Sequence, residues 1–242
     1  MIVAYEGTRY HGWQFQPGLE TVEGWLRTVL SPITQTDVGL VAASRTDAGV
    51  HAQGQVVNFR TASPIAADRL RRAANSRLPA DIFIRQIDEA DETFHATRHA
   101  RGKLYRYALW ADPDKPPYAQ ARYVYHYHRP FDLDRASEAA ARLVGRHDFK
   151  SFETTGGAPR LTTVRTIHRL DLRRDGPRIW FDVAGDGFLY NMVRNIVGTL
   201  LEVARGRWTA ADVAQIIAAC DRAAAGPTAP AQGLTLVEVF YE

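Results

Sequence analysis

The sequence predicts an α+β fold of two ferredoxin-like (split βαβ) halves, whose mainly antiparallel sheets join into one platform. Three observations predict it. Short period-two apolar runs are interleaved with runs at helical period. The first hundred residues read β-α-β-β-α-β, the split βαβ order. That order recurs loosely afterwards, without a sequence repeat, which gives an N-terminal half over 1–99 and a C-terminal half over 100–242.

Residues 2–6 alternate as a strand. Leu19, Val22, Trp25, Leu26, Val29 and Leu30 fall at helical spacing, with Thr21 as the cap. Strands follow at 38–43 and 55–60. Ser63 and Pro64 open a helix reaching Arg77, since proline suits a first helical turn. Residues 82–87 close the first half as a strand. In the second half, 103–110 and 122–127 alternate as strands, and 134–144 is a helix stopped at Gly145. Residues 164–172 and 179–184 form a hairpin across Asp175 and Gly176. Val193, Ile196, Val197, Leu200 and Leu201 mark a helix ending near Gly206. Thr209 and Asp212 are the capping signature of a last helix running through Cys220. That register puts Cys220 with Val213, Ile216 and Ile217, as a core thiol. Residues 234–241 form the final strand, and 112–117, 154–159 and 226–227 are loops.

Hydrophobic residues make up 45% of the 242, enough for a core and against global disorder. The single cysteine, Cys220, cannot form an internal disulfide or a Cys-rich zinc site, so a reducing cytoplasm is the expected setting. The first residues lack a basic stretch followed by an apolar one, so no signal peptide is expected. No apolar run approaches the ~20 residues that span a bilayer. Net charge is +3, unevenly spread: residues 1–100 carry 10 Arg against 11 acids, and 101–242 carry 17 Arg and 3 Lys against 16. Guanidinium binds phosphate bidentately and stacks on bases, so 27 Arg among 30 basic residues suit an RNA partner. A GC-rich genome would favour Arg and Ala together, and composition alone leaves both readings open.

Three places could carry chemistry. The octapeptide Ser44-Arg45-Thr46-Asp47-Ala48-Gly49-Val50-His51 lies between two strand-like runs, in a connection where reactive groups are commonly displayed. Asp47 there either caps its own backbone or acts on a substrate. Arg45 is two positions away, on the same face if the chain is extended. Tyr105 lies in Gly102-Lys103-Leu104-Tyr105-Arg106-Tyr107, where Lys103, Tyr105, Tyr107 and Leu109 share a strand face. That face is either a stacking surface for RNA or a half-buried core face. Arg194 sits at the edge of an apolar helical stripe, where it either snorkels to solvent or meets a buried acid. Gly198 in the same helix implies close backbone packing, because glycine costs about 1 kcal/mol there against alanine. The eight histidines form no metal pattern; His126 and His128 share a strand face without a third ligand, so no metal is expected. No phosphate-loop or dinucleotide glycine motif occurs, so no cofactor is expected.

Several separated segments, taken together, resemble tRNA pseudouridine synthases of the A type. They are Tyr5-Glu6-Gly7-Thr8 with His11-Gly12-Trp13-Gln14, Thr21-Val22-Glu23-Gly24, Ser44 to His51 with Gln55-Val56-Val57, and Phe94-His95-Ala96. Lys103 to Tyr107, His147-Asp148-Phe149 with Ser151-Phe152, Met192 to Gly198, and Thr228-Ala229-Pro230-Ala231 with Gly233-Leu234 complete the set. The resemblance implies the pseudouridine synthase fold, action on uridines of the tRNA anticodon stem-loop, and a homodimer. It implies Asp47 as the catalytic aspartate, Tyr105 against the target base, Arg194 as partner of the aspartate, and Arg45 as a residue holding the flipped-out site open. Ser44 stands where members commonly have Gly, and Thr235 where they often have an aromatic.

The chemistry suits these groups. Making pseudouridine breaks the N1–C1′ bond, turns the uracil and rejoins it through C5, with no redox change, energy input or metal. A carboxylate serves as nucleophile or deprotonates a sugar position, and an Asp is ionised at neutral pH from a reference pKa near 3.9. Attack at C1′, attack at C6 and a glycal route all fit. The target uridine must leave its stack to be reached. A non-catalytic RNA-binding module of ferredoxin-like domains is the alternative; it has no use for an acid beside a basic wall.

Overall fold

The computed structural model describes residues 1–156 and 161–241. The loop expected over 154–159 lies partly outside them. The chain divides into two compact units: Met1–Arg101 together with the chain from Thr235 onward, and Gly102–Leu234. The closing strand thus packs with the first unit, although it follows the second in sequence.

In the first unit β1 (Ile2–Tyr5) lies between β4 (Ile82–Gln86) and β3 (His51–Asn58), antiparallel to both. The short β2 (Val41–Ala42) runs antiparallel to the far end of β3. At the near end Thr235 and Leu236 of β10 (Leu234–Phe240) run parallel to His51 and Ala52. Helix α1 (Val22–Thr34) starts where the sequence puts it: the Thr21 hydroxyl accepts the Gly24 N–H at 3.2 Å, and Val22, Leu26, Val29 and Leu30 are buried. Helix α2 (Ala67–Asn75) starts later than expected. Ala66 precedes it without a side-chain cap, so Ser63 and Pro64 lie in the lead-in chain.

In the second unit β5 (Gly102–Trp110), β9 (Arg178–Gly185), β8 (Val164–Asp175) and β7 (Gly145–Asp148) pair in that order, all antiparallel. The β8–β9 hairpin turns at Gly176, as the Asp-Gly pair predicts. Strand β7 has no apolar alternation to announce it. It is Gly-Arg-His-Asp, paired along its length to β8. The strand expected over 122–127 shrinks to β6 (Tyr125–His126), parallel to the end of β5, because residues 118–123 form turns after Pro116 and Pro117. Helix α3 (Leu133–Ala141) packs on β8, on α4 (Met192–Ala204) and on α5 (Ala210–Ala219). The Thr209–Asp212 capping box forms as predicted. Cys220 departs from expectation. The helix ends at Ala219, Cys220 turns left-handed at φ 48°, and the thiol leaves the apolar face and is exposed.

Helix α4 is buried on every side, with Arg194 its one residue that is not. A helix can be surrounded only if its neighbours approach closely. Gly198 allows this: a Cβ there would lie 1.7 Å from the Pro227 carbonyl oxygen, so the loop rests directly on the helix backbone. No described helix is long and apolar enough to cross a membrane.

Gly198→Ala should therefore destabilise the protein by about 1–3 kcal/mol, the usual range for overpacking. Gly39→Ala, where nothing lies within 4 Å of the added carbon, should change stability by less than about 0.5 kcal/mol. Denaturant unfolding of the two variants measures the contrast.

Candidate active-site residues

The motif loop of the first unit is held almost wholly by hydrogen bonds outside regular structure. β2 and β3 pair up to the Ala43 N–H bond to the Val56 carbonyl, 2.8 Å. Ser44 then leaves the sheet. The Gln55 side chain, fully buried, takes both of its backbone groups: Oε1 accepts the Ser44 N–H at 3.2 Å, and Nε2 donates to the Ser44 carbonyl at 2.6 Å. Further on, the Trp13 N–H bonds the Thr46 carbonyl at 3.0 Å, and the Thr46 hydroxyl meets the Tyr5 hydroxyl at 2.7 Å. The turn closes with the Val50 N–H on the Asp47 carbonyl at 3.1 Å, with Gly49 at φ 79° and its N–H on the Tyr10 carbonyl. Gly12 matters for a second reason besides its φ of 87°: a Cβ would come within 2.6 Å of the Thr46 carbonyl oxygen.

Asp47 is half-buried on this loop and Arg45 is exposed. His51, which follows, is 2% exposed, and its Nδ1 accepts the Gly7 N–H at 3.0 Å. A nitrogen that accepts from an amide carries no proton of its own, so the ring proton sits on Nε2. Glu6 Oε1, 3.7 Å from Nδ1, accepts the Thr8 N–H at 2.9 Å. The early motif residues Tyr5, Gly7, Gly12 and Trp13 therefore converge on the 44–51 loop, and their chemistry is that of support.

In the second unit Tyr105 is 6% exposed and packs edge-on against Phe188, ring centres 5.2 Å apart. Its face is a core face: Tyr107 and Leu109 are fully buried, and the Tyr107 hydroxyl donates to the Pro230 carbonyl at 2.8 Å. Burial pushes that hydroxyl's pKa well up, so it stays a donor. The alternating tyrosines thus form no continuous stacking surface. On the opposite face the Arg106 fork grips Asp182 at 2.6 and 2.8 Å, tying β5 to β9.

Arg194 stands at the start of α4 with its fork already directed. Nε donates to the Ala229 carbonyl at 2.7 Å and Nη1 to Asn191 Oδ1 at 2.8 Å. Next to it in the helix, the fully buried Asn195 binds three segments. Its amide nitrogen donates to the Phe152 carbonyl at 2.8 Å. Its oxygen accepts from Thr228 Oγ1 at 2.6 Å and Arg222 Nη2 at 3.0 Å. The Met192–Gly198 and Thr228–Ala231 motifs, 30 residues apart, are thus one clamp. Sequence reasoning named Arg194 and Gly198 there, quoted Asn195 and Thr228 only within resembling segments without a role, and missed Arg222. The available signal was an amide inside a largely apolar helix, since buried amides demand partners. Among the described residues no group of three or more His, Cys, Asp or Glu is placed to hold a metal ion.

The first unit thus carries an acid on a backbone-held loop, and the second carries an oriented arginine and a packed tyrosine. The sequence matches the profile of the tRNA pseudouridine synthase family over residues 1–98 and 139–242, and the chain belongs to that family. It is similar to tRNA pseudouridine synthase A of Acetivibrio thermocellus, 46% identical over 242 residues, covering 100% of this chain and 98% of that one. The corresponding proteins of Brevibacillus brevis and Geobacillus kaustophilus are 44% and 43% identical, covering 99% and 100% of this chain and 98% and 93% of theirs. A crystal structure of a Cbf5-Nop10-Gar1 complex superposes with a TM-score of 0.38 at 12% identity, covering 84% of this chain and 54% of that chain.

Asn195→Ala should leave the Thr228 hydroxyl, the Arg222 fork and the Phe152 carbonyl short of a partner. The expected loss is about 1–3 kcal/mol of stability, read as a lower unfolding midpoint in denaturant.

Proposed function

We propose that this chain, a tRNA-uridine isomerase by family, converts uridine to pseudouridine in the anticodon stem-loop of tRNA, with Asp47 acting on the target nucleoside. The observation that carries the reading is the half-buried Asp47 on the family's own motif loop, fixed by backbone bonds at Thr46, Asp47 and Gly49. The carboxylate attacks the ring or sugar, or removes a sugar proton; the N1–C1′ bond breaks, the C5–C1′ bond forms, and the C5 proton is lost as N1 gains one. Tyr105 and Arg194, which the family resemblance also points to, are proposed to serve the same reaction, Tyr105 toward the target base. Arg45, exposed beside Asp47, holds the space that the flipped nucleoside leaves.

The fold supports this reading in a further way. We take each of the two units as a split βαβ half. The order β4-β1-β3-β2, antiparallel at every step, supports this for the first unit, and β5-β9-β8 with α3 and α4 supports it for the second.

Release of the C5 hydrogen from labelled tRNA tests the reading. The wild type should release it, while Asp47→Asn should lose essentially all turnover and bind tRNA within a few fold of wild type. Normal turnover by that variant would remove Asp47 from the chemistry.

The functional particle is proposed to be a homodimer in which both copies contact one anticodon arm. Sedimentation should show a dimer at micromolar protein. A fully active monomer at nanomolar protein would count against it.

A further inference from the structure

We infer that Gln55 is the positioning residue that sets the catalytic loop, by acting as a substitute for the next rung of the β2–β3 ladder. The inference rests on the proposed role of Asp47. The outer edge of β3 is shared lengthwise. Val57 and Asn58 pair with β2, Val56 takes the Ala43 N–H, and His51 and Ala52 pair with β10. Between these stretches the chain must leave the sheet so that Asp47 can stand out from it. Leaving takes the partly buried N–H and C=O of Ser44 out of the β2–β3 ladder, and backbone groups withdrawn from water are seldom left unpaired. The Gln55 amide offers one acceptor and one donor at the spacing of a peptide group, and it engages both Ser44 groups, at 3.2 and 2.6 Å. Its own backbone is fixed opposite Val3 of β1, and its side chain has no exposed surface. The anchor therefore has little freedom, and the direction in which Arg45, Thr46 and Asp47 depart follows from it.

Only a side chain with one donor and one acceptor on the same planar group fits this task. Gln55→Met keeps the length and loses both bonds. Gln55→Glu keeps one when ionised, because a carboxylate accepts the Ser44 N–H but repels the Ser44 carbonyl. When protonated, its O–H donates to that carbonyl and both bonds return. Burial raises a carboxyl pKa toward neutrality, so the return falls within a workable pH range.

The test measures kcat and KM for tRNA with wild type, Gln55→Met, Gln55→Glu and Asp47→Asn, at a temperature where melting curves show all four folded. Gln55→Met should lose on the order of tenfold to a hundredfold in kcat, the effect of roughly an ångström's misplacement, with KM within about twofold. The kcat of Gln55→Glu relative to wild type should climb as pH falls from about 8 to 6, while that of Gln55→Met stays flat. Asp47→Asn should be inactive throughout. If Gln55→Met keeps wild-type kcat, or the Gln55→Glu ratio does not change with pH, the positioning role is wrong and the function stands. If Asp47→Asn is active, the functional reading and this inference fall together.

Discussion

The outer edge of β3 is the constraint around which the first unit is arranged. One strand has to serve β1 along its whole inner edge and then divide its outer edge between β2 and β10. A sheet edge cannot change partners without a gap, and a gap in a buried ladder costs more than almost any other local defect, because its polar groups have lost water and gained nothing. The motif loop sits in this gap. Its shape comes from satisfying those groups one at a time, by Gln55, Trp13 and Tyr10. The firm placement of the loop that carries Asp47 is then a by-product of pairing these backbone groups.

The second unit solves a similar problem by different means. Arg194 must point outward from a helix that is otherwise enclosed, so its surroundings are built from the inside. Gly198 lets the 226–229 loop touch the helix backbone, Asn195 ties that loop to Phe152 and Arg222, and the loop returns a carbonyl that aims the Arg194 fork. A guanidinium loses less freedom per bond than a flexible ammonium would. With two of its nitrogens engaged within the unit, the direction of the guanidinium is set there.

Much of this was legible in the sequence, for reasons particular to each element. The α1 and α5 starts were readable because their caps are local: Thr21 and the Thr209–Asp212 box satisfy helix donors within three residues. The β8–β9 hairpin was readable from Asp-Gly. β7 was not, since a four-residue polar edge strand exists only through its neighbour. Cys220 was misplaced because helical periodicity was carried one residue past a left-handed turn that no apolar pattern records. The tyrosines of β5 could not be divided between core and surface by alternation alone; Tyr107 is decided by Pro230, more than 120 positions away in the chain. In the site the acid and its motif were evident, while Gln55 and Asn195 were hidden among apolar neighbours. Their importance lies in which backbone groups they reach, and that is a property of tertiary structure.

The parallel pairing of β10 with the start of β3 has a temporal meaning. Thr235 and Leu236 meet His51 and Ala52 only after some 180 intervening residues have been made. During synthesis the first hundred residues emerge with most of their own partners available, and such segments tend to fold as they appear. The strand end that leads directly out of the Asp47 loop must nevertheless wait, with an open edge, until β10 has been made. Contacts that distant in sequence form late because their loop entropy has to be met first. A nascent chain therefore holds the Asp47 motif well before it holds the finished edge beside it.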